Sequence, residues 1–169
     1  MSKDKLIKIV IIVIVLALIA VGVVIAITLA SPKYDDSVST SDIWFNTSLN
    51  IVCKGGMKTL DEDVLFEYTD KDLDYLRDFT VVKANDAKNI NEIGIFRVTD
   101  GNSKNLEKII SEYVSNRQNM YRAMDYFPEE VEKIDCATVK VFGNYVIYSF
   151  LNENDTVSFY DAVENLIKE

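Results

Sequence analysis

Any chemistry in this chain has to be done without histidine, because the sequence contains none. Ser-His-Asp catalysis, Cys-His catalysis and every His-containing metal site are therefore removed. The two cysteines, Cys53 and Cys136, have neither CxxC spacing nor enough partners for zinc. No Gly-rich phosphate loop, GxSxG elbow or dinucleotide fingerprint occurs. Carboxylates remain. Asp70-Lys71-Asp72-Leu73-Asp74 alternates acids as calcium loops do, but Tyr75 stands where the sharp turn wants Gly, and Val81 where a bidentate Glu belongs. It reads as a solvated charged turn, and the expected set of metals and cofactors is empty. A glycosidase-type carboxylate pair can be drawn from the acids in many ways, and without geometry none is singled out. Glu92 and Arg97, on or near one strand, could form a functional pair; the plainer reading is solubilising charge at strand ends.

The candidate binding residues are Phe142 and Tyr145, in the stretch Val141-Phe142-Gly143-Asn144-Tyr145-Val146-Ile147-Tyr148. Gly-Asn between two strand-like runs signals a two-residue hairpin, since both residues tolerate the positive φ of primed turns. That loop length sets Phe142 opposite Tyr145, Val141 opposite Val146, Val139 opposite Tyr148 and Ala137 opposite Phe150. The alternate face holds Phe142 with Tyr145, Lys140 with Ile147, and Thr138 with Ser149. One face is apolar and the other mixed, as a half-buried sheet requires. Phe142 and Tyr145 are then either an aromatic cross-strand pair or a small binding surface beside the bend.

The elements that position these residues follow from periodicity. Thr59-Leu60-Asp61-Glu62 fits a capping box opening a short helix through about Tyr68. Asp78–Ala84 and Glu92–Val98 have the β-branched and aromatic content of strands. Asp100-Gly101-Asn102 is a turn, with Ser103 able to cap a strong amphipathic helix over 104–124. Pro128 suits the first turn of another helix. Strands at Cys136–Phe142 and Tyr145–Leu151 follow. Asn154 or Asp155 caps a last helix with Phe159, Tyr160, Val163, Leu166 and Ile167 on one face. The order helix-strand-strand-helix-strand-strand-helix predicts an α+β domain over 58–169, with a mainly antiparallel four-stranded sheet and helices packed on one face.

Ahead of this domain, residues 9–30 form an uncharged run of 22 residues, sixteen of them Ile, Val or Leu. As a helix it would span about 33 Å, enough for a bilayer core of roughly 30 Å. Lys3, Lys5 and Lys8 precede it, while Lys33, Asp35 and Asp36 follow. The positive-inside rule thus predicts a cytoplasmic tail at 1–8, a single-pass span at 9–30 and an extracytoplasmic remainder. Thr28-Leu29-Ala30 resembles a signal-peptide cleavage site, but the apolar run exceeds the ~7–15 residues of a signal core, which favours an uncleaved anchor. Gly22, Ala26 and Ala30 lie on one helix face and could support a homodimer through the span. Residues 31–57, rich in Ser, Asp, Thr and Asn, read as a stalk, with Ile43-Trp44-Phe45 able to dock on the domain. Outside the membrane a Cys53–Cys136 disulfide is permitted; two lone thiols are the alternative.

The segments EIGIFRVTDG, YFPEEVEKID and GNYVIYSF, with the long helix reaching Arg117, resemble an uncharacterised family of membrane-anchored extracytoplasmic domains of clostridial-type Gram-positive bacteria. The resemblance covers roughly residues 58–169. It implies an envelope location and an α+β domain, and carries over no catalytic residue. Family members have a single span or a lipoprotein signal; this sequence has the span only.

Charge bounds the partners. Without Lys3, Lys5, Lys8 and Asp4, residues 31–169 hold 15 basic and 26 acidic residues, a net of −11. No basic run is present to neutralise nucleic-acid phosphates or anionic head groups. The expected function is a membrane-anchored, non-enzymatic domain contacting an envelope protein or cell-wall component. A carboxylate-based wall-polymer hydrolase is the alternative, to be recognised by a deep cleft with two buried carboxylates.

Overall fold

The computed structural model describes residues 12–22, 32–48, 51, 56–124 and 128–169. The chain divides into two compact units, 1–33 and 34–169. In the first, residues 12–22 are helical (α1) with exposed side chains. Among the described residues no helix is long and apolar enough to cross a membrane. The rest of the expected span, including Ala26 and Ala30, lies outside the described residues.

The second unit is built on one antiparallel sheet. Its strands are β1 (Met57–Thr59), β2 (Leu76–Ala84), β3 (Glu92–Val98), β4 (Thr138–Phe142) and β5 (Tyr145–Phe150), in spatial order β1-β2-β3-β5-β4. The helices are α2 (Thr40–Thr47), α3 (Ser103–Ala123), α4 (Pro128–Cys136) and α5 (Glu153–Ile167), with a 3-10 helix at Glu62–Glu67. The sheet therefore has five strands, not four. The extra one, β1, sits where the capping box is expected: Thr59 pairs with Val82 in a ladder, and Asp61 flanks the 3-10 helix without a side-chain cap bond. The free edge of β2 offers backbone partners to residues 57–59, and this non-local ladder wins over the local helix signal.

Alternation along β3 sorts its side chains onto two faces. Phe96 and Val98 join Leu106, Ile110 and Val114 of α3, Ile134 of α4 and Val64 of the 3-10 helix. Ile93 and Ile95 join Ile43 of α2 and Phe159, Val163 and Ile167 of α5. Helices thus cover both faces, not one. The reason lies in β5, where all six residues from Tyr145 to Phe150 are buried. A strand buried on both sides needs a layer against each, and burying one such Ile or Phe side chain stabilises by roughly 1.5–3 kcal/mol.

The second layer recruits the stretch expected to be a stalk. Ser39 caps α2, its Oγ accepting from the Asp42 amide at 3.1 Å. Ile43 is fully buried, Trp44 half-buried and Phe45 exposed. The second unit therefore begins at Tyr34, whose bridge to Lys168 ties it to the C-terminal end. At α5 the cap is Asn152, accepting from the Asp155 amide at 2.8 Å, rather than Asn154 or Asp155, and Leu166 stays exposed. The hairpin register is as derived from the Gly-Asn turn, with Phe142 opposite Tyr145, through to Thr138 opposite Ser149. Gly143 has φ +58°. The ladder ends at Thr138, because Cys136 still belongs to α4. Among the described residues Cys136 is an unbridged thiol, its pKa raised by burial and by Glu132, Glu153 and Asp135; the other half of the permitted disulfide, Cys53, lies outside them.

Candidate functional site

The most deeply buried charge network lies at the start of β3. Glu92 is 1% exposed and faces α3. The sheet register places it beside Lys83 of β2 on one side and Phe150 of β5 on the other. One helical turn separates Tyr113 from Arg117, so both reach down from the same face of α3. Glu92 Oε1 accepts from Tyr113 Oη at 2.5 Å and Tyr148 Oη at 2.7 Å. Its Oε2 accepts from Arg117 Nη2 at 2.9 Å and lies 3.6 Å from Lys83 Nζ. Three hydrogen bonds thus occupy three of the roughly four acceptor sites of a carboxylate, with the Lys83 ammonium a charged neighbour beyond hydrogen-bond distance. With Tyr148 donating to Glu92, Tyr68 donates to Tyr148 Oη at 2.6 Å, extending the chain to the 3-10 helix side.

Gly94 makes this arrangement possible. A Cβ there would lie 2.1 Å from Tyr148 Cε1 and 2.8 Å from the Phe96 ring. Only a missing side chain lets Tyr148 lie across β3 and reach Glu92. Arg117 is flanked by the rings of Tyr113 and Tyr121, at 5.5 and 5.4 Å from their centroids. Burial works against its charge, but Glu92 outweighs that, and the guanidinium pKa is raised. Tyr68, Tyr113 and Tyr148 all have phenol pKa values raised, first by burial and then by the Glu92 charge. The cluster therefore consists of neutral phenols, a held guanidinium and a carboxylate engaged by three hydrogen bonds. It binds the sheet to α3 through these bonds.

Glu92 and Arg97 do not form a pair. Five residues apart on a strand, they point to opposite faces. Arg97 binds Asp78 through Nε at 2.7 Å and Nη2 at 3.1 Å, and donates from Nη1 to the carbonyls of Asp36 and Ser37. Burial opposes its charge, while the hydrogen bond and charge of Asp78 raise its pKa. Phe142 and Tyr145 belong to this same end. Phe142 is 6% exposed and Tyr145 fully buried, so neither ring presents a surface to a ligand. The segment 34–38 covers them: the Tyr34 ring stands edge-on to Phe142 at 5.7 Å, and Tyr145 Oη donates to the Val38 and Asp35 carbonyls. Burial pushes the Tyr145 phenol up to about 12, against the opposing pull of Arg97. The Asn144 amide bonds both Asp36 and Asp100. The hairpin turn is thus a dock for the incoming chain.

Asp70, Asp72 and Asp74 are exposed, and among the described residues no group of three metal-ligating side chains occurs. Glu130, also buried, accepts from the Ile90 amide at 2.8 Å and from Lys133 at 2.7 Å, which makes it a tie for the β2–β3 loop. Above the Glu92 cluster runs a groove of about 450 Å³ between β1, the β2–β3 loop and the end of α3, with Lys58, Lys83, Arg117, Met120 and Met124 on its walls. Sequence reasoning noticed Glu92 but took Tyr113 and Tyr148 as plain core. The available signal was Glu-x-Gly opening a strand together with Tyr and Arg four apart on an apolar helix face.

The chain matches the family described as Domain of unknown function (DUF4358) over residues 52–151, more than half its length, and belongs to that family. No curated protein and no solved structure matches it. The matched region holds the whole sheet with α3 and α4, whereas α2 and α5, which cover the second face, flank it.

Proposed function

We propose that this protein is a membrane-tethered, non-enzymatic binding domain of the bacterial cell envelope, with a cytoplasmic N-terminus, a single span at residues 9–30 and the folded unit outside. The observation that carries the non-enzymatic part is the closed state of Glu92. The carboxylate best placed for acid–base work is 1% exposed and engaged by Tyr113, Tyr148, Arg117 and Lys83. The tether rests on the uncharged run of 22 residues and the lysines before it. Segment 34–38, docked across the hairpin turn, follows the run's end by only a few residues in sequence, so the linking chain is short.

Protease accessibility and crosslinking test both parts. In intact cells with an accessible envelope, external protease should degrade the folded unit and spare a tag before Lys3. Crosslinking in native membranes should recover a reproducible envelope partner, protein or wall component. A protected folded unit would overturn the tether orientation, and recovery of no partner under several crosslinkers would count against binding.

A further inference from the structure

We propose that the groove beside the 3-10 helix docks a basic amphipathic segment of a partner protein. Large apolar side chains of that segment meet the floor of the groove, and its lysines or arginines meet the rim. The inference rests on the binding-domain reading and adds the surface used and the chemistry of the partner. The floor is built from residues that the core takes up only in part. Leu60, Leu65, Leu73, Leu76 and Phe79 pack against the first core cluster yet remain partly open, and all five line a groove of about 850 Å³. β2 is distorted where it meets this floor. Its ladder matches Leu76 to Val98 and Asp78 to Arg97, which leaves Arg77 as an extra residue in a bulge. Residues three apart on a regular strand point to opposite faces; the inserted residue turns Leu76 and Phe79 to the same one. A smaller hollow of about 240 Å³ shares Leu65 and Leu73 with the groove and is also lined by Phe66. The Phe66 ring is 79% exposed. An exposed ring continuous with an apolar floor marks an interaction surface, which a singly scattered apolar residue does not.

Charge decides the occupant. Asp61, Glu62, Asp63, Asp72 and Asp78 line the groove and the hollow, against Arg77 and Lys71. Two of these charges are spent elsewhere: Asp78 on Arg97, and Arg77 on Asp36 at 3.0 Å. The other four carboxylates make no ion pair among the described residues, and only Lys71 stands against them. Asp61 is not used as a side-chain cap either, so the 3-10 helix does not account for its charge. Asp70 and Asp74, both exposed, flank this stretch and add to the excess. A second copy of the chain would set two such acidic rims against each other across a two-fold axis. Anionic head groups are repelled in the same way. A partner segment of opposite charge is attracted instead. Once its apolar side chains cover the floor, its ion pairs with the rim are partly shielded from solvent and salt.

The test uses the full-length chain, carrying fluorine-labelled phenylalanine, in nanodiscs of zwitterionic lipid. Of the eight phenylalanines, Phe66 reports on the hollow. Phe45 is the reference, because it is 76% exposed but lies on α2, whose Ile43 belongs to the other core cluster. Each signal is assigned by its loss in Phe66→Leu or Phe45→Leu. Short peptides of leucine with lysine, leucine with glutamate, and serine with lysine are titrated in at matched ionic strength. The leucine–lysine peptide should shift the Phe66 signal saturably and leave Phe45 in place. The other two should bind at least about tenfold more weakly, since each lacks one half of the recognition. Glu62→Gln combined with Asp63→Asn, both at exposed positions, should keep the fold and weaken the leucine–lysine peptide about fivefold, the loss of two exposed ion pairs. Joint movement of Phe45 and Phe66, an equal response to either control peptide, or unchanged affinity in the double variant would each overturn the site. A Phe66 shift caused by protein concentration alone, or by anionic lipid in the disc, would assign the face to a second copy or to the membrane and overturn it as well. Silence of all three peptides would sink this proposal, and a crosslinked envelope partner recovered alongside would leave the binding-domain reading standing.

Discussion

The two ends of β3 carry two polar networks, and they solve opposite problems. At the Glu92 end a carboxylate is sealed under α3, with two phenols, a guanidinium and an ammonium around it. At the Arg97 end the charge is a cation, partly open, and its partners include the backbone of a strap, residues 36 and 37. The sealed network joins elements of the family core, since Lys83, Glu92, Tyr113, Arg117 and Tyr148 all fall inside the matched region. The open one joins that core to chain outside it. Removing a partner from the sealed network strands a buried charge; removing one from the open network exposes groups that water can satisfy. Burial, more than the number of bonds, sets the difference in consequence.

Raising the pH should show this contrast most strongly. The raised pKa values of Tyr68, Tyr113 and Tyr148 mean that the folded state holds these phenol protons more tightly than the unfolded chain, whose value is near 10.0. Their contribution is fully present below pH 10 and is lost as pH rises past it. Tyrosinate absorbance and circular dichroism should therefore change together, in one cooperative alkaline unfolding step. Gradual ionisation of these tyrosines in a folded protein would break the picture of a sealed end.

Glu92→Ala ranks next. It leaves the half-buried Arg117 with only the more distant Glu67, at 3.8 Å, as a counter-ion and should cost about 3 kcal/mol in denaturant unfolding. Arg97→Ala should cost less, about 1.5–3 kcal/mol, and should speed hydrogen exchange in 34–38 ahead of the strands. Equal losses for the two substitutions would erase the distinction between the ends. The smallest effect belongs to Tyr145→Phe, which removes the bonds to Asp35 and Val38 but keeps the ring. A loss of about 0.5–1.5 kcal/mol is expected, with strap exchange faster and the Glu92 end unchanged. It should also delete the phenol pushed up to about 12 from the alkaline titration.

Much of the fold was legible because it is encoded locally. Glu92–Val98 was bounded correctly from β-branched and aromatic content, α3 to within one residue at each end, and the hairpin register from Gly143-Asn144 alone. The candidate site was half legible. Phe142 and Tyr145 were placed on the face away from Val146, Tyr148 and Phe150, but that face is a second core rather than a mixed surface, and a strap more than 100 residues away in sequence helps cover them. Glu92 was noticed as a charge beside Arg97, and only alternation within a known sheet shows the two to be back to back.

The sequence by itself determined the elements whose signals are periodic or turn-based: β2, β3, the β4–β5 hairpin, α3, α4 and α5. It also determined the absence of histidine chemistry and the apolar run at 9–30. Tertiary structure alone decided that 57–59 add a fifth strand, that 40–47 fold onto the second face, and that Glu92 is closed. The reason is separation along the chain. Glu92 meets Tyr113, Arg117 and Tyr148 across 21, 25 and 56 residues. No local pattern records such contacts; they exist only once a sheet and a helix are brought face to face.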